Sequence, residues 1–270
     1  MFVSKFKHLA LAVSAAMLLC PSAQAASSIT VSVTPIAANA VADLVSDFLN
    51  AFPTSGYSVS LKIVSDAAAK DGIVAGNAPV PDLFLSKSFV APLDLKLNHP
   101  TLIVGDPFPY AEDTLVLYSS ADKNIDISGG VPSFSHLQPF SIPTPATLDP
   151  YGVAAALVLK GTYLRAVRNG LVLKTEDAAG SYAAVEYLTT SYGFTGKSQI
   201  CSAVAGVEEF EPGSFHHEFT NTTPIVLAGV KIASSTRTAA QETELTDFVN
   251  YLTGTGSVNF TQHCFKLPGA

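Results

Sequence analysis

Basic clusters are missing from this sequence. Its 15 Lys and Arg are scattered among 22 Asp and Glu, for a formal net charge of −7. That balance offers no cationic face to nucleic acid or to an anionic membrane surface, and it attracts no anion at long range. Charge of either sign is scarce: charged residues are 14% of the chain and hydrophobic ones 48%, with no low-complexity tract. Such a chain buries a large core and is not disordered. Past the N-terminus, no segment reaches the ~20 apolar residues of a membrane span.

Enzyme signatures are lacking too. There is no G-x-S-x-G elbow, no P-loop and no G-x-G-x-x-G after a strand. Nothing in the sequence pairs two carboxylates in a cleft. CxxC, HExxH and any repeated ligand spacing are also absent, so neither a dedicated metal site nor a cofactor is expected. The chain is expected to be no enzyme. No internal repeat is visible.

What is there begins with an export signal. Lys5, Lys7 and His8 form a basic start, Leu9 to Cys20 is an apolar stretch, and Ala23-Gln24-Ala25 reads as a small-residue cleavage site. Residues 1–25 are therefore expected to be a cleaved signal peptide, with the mature chain starting at Ala26 in the periplasm. A lipoprotein anchor on Cys20 would need a small residue before it, and Leu19 stands there. Losing Lys5 and Lys7 lowers the net charge by two, to −9. Two cysteines survive processing, Cys201 and Cys264. They form a disulfide if bridged; otherwise Cys201 is a free thiol able to bind a soft metal with Asp66 or a histidine.

The 270 residues suffice for two lobes of ordinary size. A strand-helix rhythm appears at once. Ile29–Val33 is β-branched, and Val41, Leu44, Val45, Phe48 and Phe52 mark one helix face. Tyr57–Val64 alternates as a second strand and Asp82–Ser86 is a third. This β-α-β-α-β order predicts a parallel sheet flanked by helices. Further strands are expected at Thr114–Tyr118, Phe140–Ile142 and Ile225–Ile232. Helices are expected from about Gly152 to Val167, from Gly180 to Leu188, and through Leu245, Phe248, Val249 and Leu252. Asn259–Ala270 reads as a tail.

The order of these elements resembles the molybdate-type periplasmic binding proteins of ABC transporters. The similar strings are Ile29-Thr30-Val31 with the helix ending at Phe52, Ala75-Gly76 through Asp82-Leu83-Phe84-Leu85-Ser86, and Pro145-Ala146-Thr147 leading to Gly152. Glu176-Asp177 and Phe248 to Leu252 with Phe260 complete the set. The resemblance spans roughly residues 26–268. It implies an α/β, two-lobed, type II binding-protein fold, each lobe a mixed, mostly parallel sheet flanked by helices. Lobe 1 would be 26–108 plus 223–270 and lobe 2 would be 109–222, with hinge crossings near Pro107–Pro109 and Thr222–Pro224. It further implies a monomer that closes on a small molecule or ion and hands it to an ABC permease in the inner membrane.

That family's oxyanion contacts are where this chain departs. The two serine positions fall at Ile36 and at Asp66, or at Ser65 if the alignment shifts by one. The backbone-amide positions fall near Tyr151 and Ala178, and the tyrosine falls at Cys201. With Thr34 and Asp149 beside them, the candidate ligand-binding set is Thr34, Ile36, Ser65, Asp66, Asp149, Tyr151, Ala178 and Cys201. A carboxylate about 4 Å from an oxyanion repels it by roughly 4 kcal/mol at an effective dielectric near 20, so molybdate is not the expected ligand.

Each candidate has a plainer reading. Asp66 and Asp149 both precede helices and read as N-caps, and Glu176 and Asp177 suit a helix start without any ligand. Tyr151 offers a flat apolar face and a polar tip. Phe215-His216-His217-Glu218-Phe219 reads as a solvated loop after Pro212-Gly213. The leading function is a transport receptor for a less charged or cationic solute. The alternatives are an oxyanion receptor using backbone amides and Lys87, a metal-delivery protein, and a structural partner without a ligand.

Overall fold

The computed structural model describes residues 27–145 and 149–269. The expected signal peptide and the start at Ala26 lie outside them. In the first lobe, β1 (Ile29–Val33), β2 (Val59–Ile63) and β3 (Leu83–Ser86) alternate with α1 (Ala38–Ala51), α2 (Asp66–Ala75) and α3 (Val90–Asn98). β4 (Ile103–Asp113) follows, and the chain returns much later with β12 (Ile225–Ile232), α7 (Ala239–Thr253) and α8 (Val258–Gln262). The strands line up as β2-β1-β3-β12-β4.

Local pattern explains why these segments form where they do. β3 is buried on both faces, as a central strand covered by helices must be. The stripe Val41, Leu44, Val45 and Phe48 of α1 is buried as its period predicts. Phe48 meets Phe248 of α7 edge-on at 5.2 Å and stacks on Tyr57 at 5.6 Å. Burial of each such side chain stabilises the lobe by roughly 1.5–3 kcal/mol.

The second lobe holds β5 (Leu115–Ser119), β6 (Phe140–Pro143), α4 (Pro150–Leu159), α5 (Gly161–Arg168), β7 (Val172–Thr175), α6 (Ala178–Glu186) and β8 (Tyr192–Gly196). β9 (Cys201–Val204) and β10 (Val207–Phe210) form a separate hairpin, and β11 (Phe215–Glu218) closes the lobe's sheet. That sheet runs β11-β5-β8-β6-β7. Both sheets are mixed, as expected, with parallel and antiparallel pairing in equal share: β2-β1-β3 and β8-β6-β7 pair parallel, while β3-β12-β4 and β11-β5-β8 pair antiparallel.

β4 stays in the first sheet through Asp113, paired with Ile225 of β12, and β5 begins the second sheet at Leu115. The first crossing is thus at Thr114, later than Pro107–Pro109. Those prolines sit inside β4, which is an edge strand able to tolerate missing amides, and its ladder with β12 slips twice along this stretch. The return crossing lies between β11 and β12, in a span that includes Thr222–Pro224.

Three expectations are corrected. The single helix from Gly152 to Val167 is two, broken where Lys160 takes φ 49°. His216 and His217 lie on a strand, because β11 completes the β5 ladder. Asn259–Ala270 is no loose tail: α8 packs in, Phe260 and Phe265 are buried, and Lys266 bridges to Glu112. Cys201 and Cys264 are bridged, tying β9 of the second lobe to the segment after α8 of the first.

Candidate functional site

Three helix starts converge where the lobes meet, and the chain supplies its own acceptors to each. Ser65 caps α2 and accepts the Ala68 amide at 3.4 Å. Asp149 caps α4, and its Oδ1 accepts the amides of Tyr151 and Gly152, both at 3.0 Å. Asp177 caps α6 and accepts the Gly180 amide at 2.8 Å. Helix N-terminal amides attract anions; an internal carboxylate already holds those of Tyr151 and Gly152 at α4 and that of Gly180 at α6.

Asp66 is the first residue of α2 and not its cap, a role that falls to Ser65. Its carboxylate turns instead to the β3–α3 connection, accepting Ser86 Oγ at 2.5 Å and the Lys87 amide at 3.3 Å. Burial pushes its pKa up to about 6, against the opposing pull of Ser86 and Lys87.

Lys87 is the residue that sequence reasoning left out of the candidate set. It follows β3 in the first lobe and sends its ammonium across the cleft, where Nζ lies 2.5 Å from Asp149 Oδ2. The two side chains are 11% and 0% exposed, so this pair is shielded from the solvent screening that weakens surface ion pairs. Burial works against the ammonium, but Asp149, Asp66 and Asp177 outweigh it and raise the Lys87 pKa. Burial likewise raises the Asp149 pKa, with Lys87 opposing. Among the described residues, Asp149 Oδ2 has no hydrogen-bond partner beside that ammonium.

Behind this pair the floor of the cleft is close-packed. Tyr151, fully buried, donates its hydroxyl to Asp113 Oδ2 at 2.8 Å, and Ser198 Oγ donates to the same oxygen at 2.7 Å. Asp113 also accepts the Thr114 amide at 2.7 Å, at the first crossing itself. A methyl group on Gly196 would collide with Asp113 Oδ2, Ile36 Cδ1 and Tyr151 Cε1, which is why glycine stands there. Ile36 is thus brought to Tyr151 as packing, and its carbonyl accepts Gln199 Nε2 from the other lobe at 3.3 Å.

The remaining candidates divide. Thr34 is buried beside Leu85, whose carbonyl accepts its amide at 3.0 Å. Ala178 is buried at the start of α6, and its carbonyl accepts Thr195 Oγ1. Cys201, placed by the resemblance on a tyrosine of the ligand site, is half of the disulfide and offers neither a hydroxyl nor a free thiol. Among the described residues no three His, Cys, Asp or Glu side chains are grouped to hold a metal ion.

Two chambers remain in the cleft. A smaller one of about 420 Å³ is lined by Asp66, Asp71, Lys70 and Lys87 of the first lobe and by Thr144 and Glu176 of the second. A larger one of about 940 Å³ is walled by Val153, Leu157 and Val158 of α4 and by the return crossing around Phe219 and Pro224. Ser88 and Val90 line both. Lys87 lines the first, and Pro150, next to Asp149, lines the second.

Solved structures share this architecture. A periplasmic molybdate-binding protein of Azotobacter vinelandii superposes with a TM-score of 0.72 at 22% identity, covering 89% of this chain and 99% of that one. The fold is that of the two-lobed periplasmic binding proteins. The sulfate-binding protein SubI of Mycobacterium tuberculosis gives 0.65 at 15%, covering 90% and 88%. Iron-bound HitA of Pseudomonas aeruginosa gives 0.60 at 17%, covering 90% and 88%. No protein-family model matches the sequence, and no curated protein does. Molybdate-binding, sulfate-binding and iron-bound proteins share one two-lobed scaffold, so the fold alone does not fix a ligand. Among the described residues no helix is long and apolar enough to cross a membrane.

Proposed function

We propose that this chain is the exported solute receptor of an ABC-type importer, closing its lobes on a small ligand and passing it to a permease in the inner membrane without altering it. The observation that supports this most is the contribution of both lobes to one buried polar locus, Lys87 from the first and Asp149 from the second. A cleft assembled from two lobes closes on its contents. Export rests on the N-terminal basic, apolar and small-residue segments.

The ligand is not a tetrahedral oxyanion. The serine position of the resemblance holds Ile36, Asp149 takes the α4 amides of Tyr151 and Gly152, Asp177 takes the α6 amide of Gly180, and Asp66 faces the cleft. The soft-metal alternative loses its thiol to the disulfide. A second reading, a structural partner that keeps the fold without a ligand, is favoured by one observation: the Lys87 side chain itself occupies the Asp149 carboxylate of the other lobe. Thermal-shift screening of the mature protein against oxyanions, divalent metals and polar metabolites separates the readings. A receptor's ligand raises the melting temperature by linkage, and a protein stabilised by nothing in such a panel is no receptor.

A further inference from the structure

Asp149 is the group whose chemistry reaches furthest. Its Oδ1 is committed to capping α4, and its Oδ2, fully buried, is met by one ammonium. If Lys87 swings away, that oxygen is left without a partner, at the cost that any buried unpaired carboxylate carries. A replacement must therefore bring a positive charge and N–H donors to the same point. Lys87 demonstrates that a primary ammonium fits there.

The surroundings extend the description of that replacement. The cation arrives beside both chambers, since Lys87 lines the smaller one and Pro150, next to Asp149, lines the larger. On one side lie further carboxylates, Asp66 and Glu176. On the other lies a larger space, apolar along Val153, Leu157, Val158 and Phe219 and with Lys160, His217, Glu218 and Asn221 also in its lining. An inorganic cation would leave that space to water, whereas apolar walls of this extent gain by excluding it.

Building on the receptor reading above, we propose that the solute is an organic amine: its ammonium displaces Lys87 from Asp149, and its apolar body lies along α4 in the larger chamber. Lys87 is then a tethered competitor, an internal stand-in that keeps Asp149 paired while the cleft is free of solute. Any amine binds only by outcompeting an ammonium held at high local concentration by its own chain. Removing Lys87 should therefore strengthen amine binding, whereas a lysine that contributed directly to holding the solute would weaken it when lost.

The probe is 2-phenylethylamine, with hexanoate and sodium chloride as controls for charge sign and for an inorganic cation. Calorimetry on the mature protein is expected to show binding of the amine and of neither control. Lys87→Met is expected to bind the amine at least about tenfold tighter. Asp149→Asn, which keeps the α4 cap because asparagine caps as well as aspartate, is expected to lose at least about tenfold. Circular dichroism melts establish that both variants fold. Amine binding unchanged by both substitutions would place the amine elsewhere and overturn the proposal. If the amine binds neither wild type nor Lys87→Met while another solute closes the cleft, the proposal falls and the receptor reading stands. If no solute of any class does so, both fall.

Discussion

Tyr151 of α4 donates its hydroxyl to Asp113 at the end of β4, 2.8 Å away, with both groups out of solvent. The bond joins the start of a second-lobe helix to the residue at which the chain leaves the first lobe. Tyr151→Phe takes one of four donors from a buried carboxylate, the others being Ser198 Oγ and the Thr114 and Ser198 amides. A loss of about 1–3 kcal/mol is expected from urea melts. Unchanged stability would mean that the remaining donors satisfy Asp113.

The Lys87–Asp149 pair links one lobe directly to the other. X-ray scattering should find the ligand-free wild type compact and Lys87→Met expanded, with a larger radius of gyration. Equal radii would show that the ion pair does not govern closure.

Asp66 makes stability depend on pH. Its folded pKa is raised by burial to about 6, above the ordinary value of 3.8, so the folded chain holds a proton that the unfolded chain has released. This contribution is fully present below pH ~3.8 and is lost as pH rises through ~6, a change of roughly 3 kcal/mol. Asp66→Asn should flatten the stability profile between those limits. A profile just as steep in the variant would assign the dependence to another group.

The bridge between Cys201 and Cys264 closes a loop of sequence separation 63. Chain-entropy arguments give such a loop about 4 kcal/mol of stabilisation. Reduction, or Cys201→Ser with Cys264→Ser, should lower the unfolding free energy by an amount of that order. Thiol titration of the denatured, unreduced mature protein should find no free thiol.

Molybdate, tungstate and sulfate are expected to give no submicromolar dissociation constant by calorimetry. Replacing Ile36 and Asp66 by serine restores two donors but leaves Asp149 on the α4 amides, so this double variant should also fail to bind. Submicromolar binding in wild type would refute the exclusion of oxyanions.

Much of the architecture was legible because its causes are local. β1, α1, β12 and α7 bury faces whose periods are written in consecutive residues, and the periods located all four. β4 escaped notice because Gly105, Pro107 and Pro109 look like turn residues, and the partner that makes them a strand is β12, far along the chain. β11 escaped because two histidines and a glutamate look solvated; the ladder with β5 decides the matter, and His216 stacks on Phe210 at 3.8 Å. In the cleft, the resemblance and the nearness of helix starts singled out Asp66, Asp149 and Tyr151 as candidates. Lys87 was weighed only as an anion ligand, since nothing near it in sequence reveals a carboxylate waiting in the other lobe.

The disulfide also changes what a protease can do to this molecule. Residues 201–264 form a covalent ring, and the return crossing between β11 and β12 lies inside it. A single cut in that crossing opens the ring but leaves the lobes joined, at Thr114 by the backbone and at Cys201–Cys264 by sulfur. Under non-reducing conditions the nicked chain should migrate as one species, and a reductant should release a C-terminal fragment. Thr114 has no such bypass through the ring. The two tethers lie side by side: Lys197, four residues before Cys201, donates its amide to the Thr114 carbonyl at 2.9 Å, and Lys266, two residues past Cys264, bridges to Glu112. The sulfur link therefore doubles the backbone at one edge of the seam.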